Sequence, residues 1–402
     1  MMIEYIIPFA IALIVSFFAS PIAKKIAVRL GAVDIPKDGR RLHQKPIALM
    51  GGIAVIAGFL ISIFYVFFVY KPDELSEWMK DINLLKAAGF FTGMVIIIIM
   101  GIVDDIHPLT SKIKFPVQLI AAGIVVFTGT KIQFITTSIS SLKYIRVEEI
   151  FNGGGKVLSI ILSILWIAGI TNAINLIDGL DGLAAGVSGI ASFSLFAVAY
   201  LMVPDIPIVF AVLYAALAGA IMGFLPYNYN PAKIFIGSTG AYFIGFVLAV
   251  ISIEGATKAY TALTMIVSLI ALGLPIFDTL FAILRRVLNR KPIGEGDRGH
   301  IHHRLIDKGI SQKYSVTILY VVSGALGLIS ILLANKGLLP AIVLVVIISL
   351  FGIGGWRYLA GIVGDKRENV GDENGTAKSD GNEKENNIEK TTVYPPGQTE
   401  KL

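Results

Sequence analysis

The stretch Lys86-Ala-Ala-Gly-Phe-Phe-Thr-Gly-Met-Val-Ile-Ile-Ile-Ile-Met-Gly-Ile-Val103 decides the fold class. After Lys86 it carries no charge, and it is about as long as a helix must be to cross a bilayer. It ends on Asp104-Asp105, two carboxylates at the edge of an apolar run. Ten further apolar runs lie at roughly 3–22, 48–70, 114–130, 157–174, 183–203, 207–226, 234–253, 259–284, 315–335 and 338–358. The expectation is an all-α, polytopic integral membrane protein of eleven transmembrane helices.

Composition agrees. The 402 residues are 55% hydrophobic and 15% charged, and the mean hydropathy is +0.76. A soluble globular protein is about 25% charged, so a soluble enzyme and a disordered chain are both excluded. With no Cys there is no disulfide scaffold, thiol nucleophile or thiolate metal site. The net charge of +6 is read as membrane topology, not nucleic-acid affinity. Glu4 precedes the first run and Lys24 and Lys25 follow it, which favours a retained helix with its N-terminus outside. Eleven spans from that start put 18 Lys and Arg in cytoplasmic connections, 9 in outside connections and 7 in the tail. The bias supports an N-out, C-in chain. Residues 1–360 are expected to form the membrane domain. The tail 361–402, rich in Asn, Gly, Glu, Lys and Asp, is expected to be disordered and cytoplasmic.

The unusual residues gather at connections assigned to the cytoplasm. Asp104 and Asp105 suit a hard divalent cation, or else simply end a helix in water. Asn172, Asn175 and Asp178 are three apart and share one broad helical face; Asp181 and two Gly residues follow. A plain Asn/Asp/Gly turn is the alternative. Gly299-His300-Ile-His302-His303-Arg304 can clamp a diphosphate; zinc is the rival, without a His-Glu-x-x-His spacing. The basic loop with Arg40, Arg41 and His43 runs into Gly51-Gly52, where backbone could approach a phosphate. Gly237-Ser238-Thr239-Gly240 reads either as a ligand approach or as small-residue helix packing. Asp278, inside the ninth run, is a weaker site member; pairing with Arg285 or Arg286 is its alternative.

Together these motifs resemble the polyprenyl-phosphate N-acetylhexosamine-1-phosphate transferases. The similarity spans about residues 1–358 and is most specific in Asn175-Leu-Ile-Asp178-Gly-Leu-Asp181-Gly and His300-Ile-His302-His303-Arg304. Asp104-Asp105 with Lys112, and Asn230-Pro-Ala-Lys233, add to it. The resemblance implies transfer of a sugar 1-phosphate from a UDP-N-acetylhexosamine to undecaprenyl phosphate. UMP is released, and an envelope glycan such as teichoic acid or the O-antigen of lipopolysaccharide is begun. It implies a bacterial cytoplasmic membrane, a cytoplasmic active site and Mg²⁺ or Mn²⁺, and leaves room for a homodimer.

By the same resemblance, Asp104, Asp105, Asp178 and Asp181 are catalytic, and Asp105 and Asp178 hold metal. His43, Lys112, Asn172, Asn175, His300, His302, His303 and Arg304 bind substrate. Ser238 stands where the family has a metal-binding Asp, and a neutral hydroxyl is a poorer Mg²⁺ ligand than a carboxylate. Ala48 replaces a Pro common before the Gly pair. A weakened or inactive homologue, or a membrane transporter using intramembrane acids, are the competing readings.

Overall fold

The computed structural model describes residues 3–36, 45–70, 83–132, 134–135, 145–146, 155–201, 207–258, 262–290, 292, 299–336 and 342. His43 and the tail 361–402 lie outside them. The chain is helical almost throughout. In order come α1 (Ile3–Leu30), α2 (Gly52–Tyr65, continued by the π-helical turn Val66–Tyr70), α3 (Leu84–Ile106), α4 (Ser111–Phe127) and α5 (Gly155–Ile177). Next are α6 (Leu183–Leu201), α7 (Ile208–Asn228), α8 (Gly237–Lys258), α9 (Ala262–Ala271), α10 (Gly273–Leu288), α11 (Ile301–Asp307) and α12 (Gln312–Lys336). Two short antiparallel pairs interrupt them: β1 (Val33–Asp34) with β2 (Ile47–Ala48), and β3 (Phe134–Ile135) with β4 (Ile145–Arg146).

Eight of the described helices are long and apolar enough to span a membrane, and the bent pair α9–α10 makes a ninth. Of the expected eleven, one run falls short of a span and another is not described. The run 114–130 forms α4, whose 17 residues span roughly 25 Å, short of a bilayer core. The run 338–358 lies, except for Ile342, outside the described residues. The ninth run is not one straight helix: α9 and α10 meet at 79°. Pro275 is the local cause, because it has no N–H to donate to the Ala271 carbonyl one turn back.

Helix α8 is the axis of the bundle. Of its apolar window 89% is buried, against 28% for the peripheral α1. Helix α3 runs antiparallel to it and is pinned at both ends. Lys86 Nζ donates to Glu254 at 3.0 Å at one end, and Asp105 meets Ser238 and Thr239 at the other. Between them Phe90 stacks on Phe246.

Small residues bring backbones together elsewhere. Gly219 and Gly223, four apart on α7, face the Phe9 and Leu13 carbonyls of α1, where a Cβ would lie 2.2 Å from each oxygen. Gly52 faces Gly240 so closely that a Cβ would sit 2.1 Å from its nitrogen. The Gly51 and Gly52 N–H groups donate to the Phe235 and Ile236 carbonyls at 2.9 and 2.8 Å. They are therefore spent on the chain itself, and the phosphate approach expected at this Gly pair gives way to helix packing.

Candidate active site

The first component is the end of α3. Asp104 Oδ1 accepts the Leu109 N–H at 2.7 Å, and Oδ2 accepts Lys114 Nζ at 3.1 Å. This carboxylate closes the turn into α4. Lys112, the expected phosphate ligand, is exposed in the first turn of α4, and Lys114 is the lysine that reaches the acid pair.

Asp105 caps another helix. Its Oδ1 accepts the Ser238 N–H at 2.7 Å, and its Oδ2 accepts the Thr239 N–H at 3.0 Å and the Thr239 hydroxyl at 2.6 Å. The first turn of α8 has orphan N–H groups and a positive dipole end, and a buried carboxylate from α3 satisfies both. Gly237, at φ +70°, makes the turn and leaves room: a Cβ there would lie 2.6 Å from Asp105 Oδ2. Ser238, partly buried, sits beside this carboxylate.

The second component is the loop 178–182 after α5. Asp181 Oδ2 accepts Asn230 Nδ2 at 2.9 Å and the Ala232 N–H at 3.0 Å, which ties the loop to the segment after α7. Asp178 is different. Among the described residues no donor reaches its carboxylate. Burial, then the charges of Asp105 and Asp181, push its pKa up to about 8. On α5, one turn and more before it, Asn172 donates to Gln118 of α4 and, at 2.8 Å, to the Ala168 carbonyl. Asn175, half-buried, lies between Asn172 and Asp178 on the same broad helical face.

The third component is α11. Asp278 of α10 accepts His300 Nδ1–H at 2.8 Å and the Ile301 N–H at 2.8 Å, so it orients the first His and caps α11 together. Asp278, Ala282 and Arg286 are buried on one side of α10, while Phe277, Leu280, Phe281 and Leu284 are exposed on the other. His302 is fully buried, with its ring 4.3 Å from that of His303 and seated over Gly179, where a Cβ would lie 2.1 Å from Nε2. Burial, then the neighbouring His303, push the His302 pKa down to about 3, so the ring is neutral. It offers hydrogen-bonding nitrogens and no charge, and its buried Nδ1 has no partner among the described residues. Arg304 is exposed on the same helix.

The structure thus brings Asp104, Asp105, Asp178, Asp181, Ser238, His300 and His302 into one connected constellation. Sequence reasoning missed Lys114 and Gln118, and it held Gly179 in a motif without the His302 ring that seats on it. Asp278→Asn keeps a hydrogen-bonding side chain but removes the charge that orients His300 and caps α11. Turnover is expected to fall about tenfold with little loss of thermal midpoint, measured by kinetics and a melting curve.

The fold and this constellation define a helical membrane protein with polar chemistry built where several helices end. Glycosyl transferase family 4 matches residues 87–256. The chain is 36% identical over 350 residues to the probable undecaprenyl-phosphate N-acetylglucosaminyl 1-phosphate transferase of Bacillus subtilis, covering 87% of this chain and 90% of that protein. It is 30% identical over 331 residues to the decaprenyl-phosphate N-acetylglucosaminephosphotransferase of Mycolicibacterium smegmatis, covering 78% of each. It is 27% identical over 329 residues to the undecaprenyl-phosphate alpha-N-acetylglucosaminyl 1-phosphate transferase of Escherichia coli K12, covering 81% of this chain and 83% of that protein. The chain belongs to the polyprenyl-phosphate N-acetylhexosamine-1-phosphate transferases, within glycosyl transferase family 4. The transporter and inactive-homologue readings are not favoured by these relatives.

Proposed function

We propose that this chain transfers N-acetylglucosamine 1-phosphate from a UDP-sugar to undecaprenyl phosphate at the cytoplasmic face of a bacterial membrane, releasing UMP and beginning an envelope glycan. A lipid phosphate oxygen bonds to the sugar-linked phosphorus, the bond from that phosphorus to the UMP oxygen breaks, and UMP departs with its electron pair. A phosphate monoester is largely ionised near neutral pH, with a second pKa of about 6, so a strong general base is not required.

The observation that carries the reading is Asp178, a carboxylate without a donor beside two others. Among the described residues no three acidic or imidazole side chains form a ready-made metal cage. Mg²⁺ does not need one: it is commonly held by one or two carboxylates plus substrate phosphates and water. Asp178 and Oδ1 of Asp181, which has no partner among the described residues, fit that mode, with Asp105 behind them. When bound, Mg²⁺ supplies charge neutralisation at the diphosphate. Lys114 places a cation at the acid pair, where it would meet a phosphate. Neutral His302 has one N–H to donate to a phosphoryl oxygen, with His300, oriented by Asp278, beside it, and Arg304 and Lys112 add exposed positive charge at the entrance. Asn172 and Asn175 line the side of α5 that leads to Asp178.

The test is transfer of radiolabel from UDP-N-acetylglucosamine to undecaprenyl phosphate by the purified chain in detergent with Mg²⁺. Organic-soluble label with matching UMP release is expected, and its loss with chelator. No label in the presence of Mg²⁺ or Mn²⁺ would overturn the reading. In the same assay Ser238→Asp, which adds a carboxylate beside Asp105, is expected to raise Mg²⁺-dependent turnover about tenfold. Unchanged turnover would show that the hydroxyl at 238 is not limiting.

A further inference from the structure

Tyr320 belongs to α12, within a run that otherwise reads as lipid-facing or packed apolar helix. Its hydroxyl donates to the Gly182 carbonyl at 2.6 Å. That carbonyl closes the loop 178–182, and Gly182 itself stands at φ +78°. One turn further along α6, Gly186 leaves an open seat for the phenol ring: a Cβ at 186 would lie 2.0 Å from Tyr320 Cζ. The ring and the hydroxyl are thus registered separately, one by shape and one by a hydrogen bond. Helix α12 follows α11 after only a few residues, so a pin on α12 also fixes how far α11 stands from the loop. At the other end of the loop the His302 ring seats on Gly179. The two contacts bracket Asp178 and Asp181, and Tyr320 supplies the one that comes from inside the bundle.

We propose that Tyr320 is a positioning residue for the transfer reaction, holding the Asp178–Asp181 loop in register with the histidine helix through the Gly182 carbonyl. This rests on the transferase reading above. The phenol touches no substrate; it acts by fixing where the two carboxylates present their oxygens.

Tyr320→Phe keeps the ring in its seat and deletes only the hydroxyl. The full-length protein in detergent is measured in two independent ways. Mn²⁺ binding followed by electron paramagnetic resonance is expected to weaken about fivefold, and kcat to fall about tenfold while KM for UDP-N-acetylglucosamine changes less than about twofold. Gly186→Ala, which displaces the ring but leaves the hydroxyl, is expected to give the same pattern. Unchanged Mn²⁺ affinity and kcat in Tyr320→Phe would overturn the proposal. So would loss of a monodisperse folded protein, since that would make the hydroxyl a folding contact. If the unsubstituted chain binds Mn²⁺ but transfers nothing, the activity reading fails and the resonance titration alone still decides the role of Tyr320.

Discussion

Asp178→Asn is expected to abolish transfer, by about a thousandfold or more, while leaving the folded protein at least as stable as before. Most substitutions of a buried charged residue cost stability because they strand a partner. Asp178 has no donor to strand among the described residues, and its charge is opposed by burial and by Asp105 and Asp181. Replacing it with an isosteric amide removes that opposition and removes the anionic oxygens that the proposed function assigns to cation binding. The pH dependence has a definite sign. Without divalent cation the folded state holds this proton up to about pH 8, while an unfolded carboxyl releases it near 3.8. The folded state binds more protons across that interval, so its stability falls as pH rises through it and levels off above. Thermal midpoints in chelator at pH 5 and pH 8 should show this fall in the unsubstituted chain and a smaller one in Asp178→Asn. Equal slopes, or a variant that retains transfer, would contradict the placement of Asp178.

Gly179→Ala should be nearly as damaging, for a steric reason. The added Cβ would stand 2.1 Å from His302 Nε2, and the His302 ring is itself buried and held against His303. Either α11 is pushed away from the acid loop or the ring leaves its seat. A displacement near 1 Å within a reacting constellation costs about a hundredfold in rate. Steady-state kinetics should show the loss chiefly in kcat. A companion substitution, His302→Ala, opens the space again. If Gly179→Ala is no worse in that background than His302→Ala alone, the clash is the cause; an additive loss would sink the explanation.

Much of this was legible in the sequence, and what was not has identifiable physical reasons. Apolar runs long enough to cross a bilayer announce themselves one segment at a time, so eight of the eleven expected runs appear as long apolar helices. Acids at the ends of such runs stand out for the same reason. Pairing between distant segments does not. The Gly51-Gly52 pair looked like a phosphate approach because its true partners, the carbonyls of 235 and 236, lie far along the chain. Lys112 and Lys114 sit in the same turn, but two residues on a helix are about 200° apart, so only one can face Asp104. The bend between α9 and α10 did have a signal in Pro275, overridden by the unbroken hydropathy around it. Tyr320 gave no signal, since an aromatic ring in an apolar helix is ordinary until its hydroxyl is seen to have a partner. The role expected for His43 lies outside the described residues, so it is untouched by the structure.

The capping of α8 by Asp105 bears on how the chain matures during synthesis. The acid leaves the ribosome more than a hundred residues before Ser238 and Thr239, the groups that hold it. Until they arrive its carboxylate has nothing from α8 to bind, and the first turn of the most deeply buried helix has no cap. A truncated product that stops short of Gly240 therefore contains the acid pair without its working pose. Insertion of α8 is the event that completes this joint, and no earlier intermediate holds Asp105 as the full bundle does.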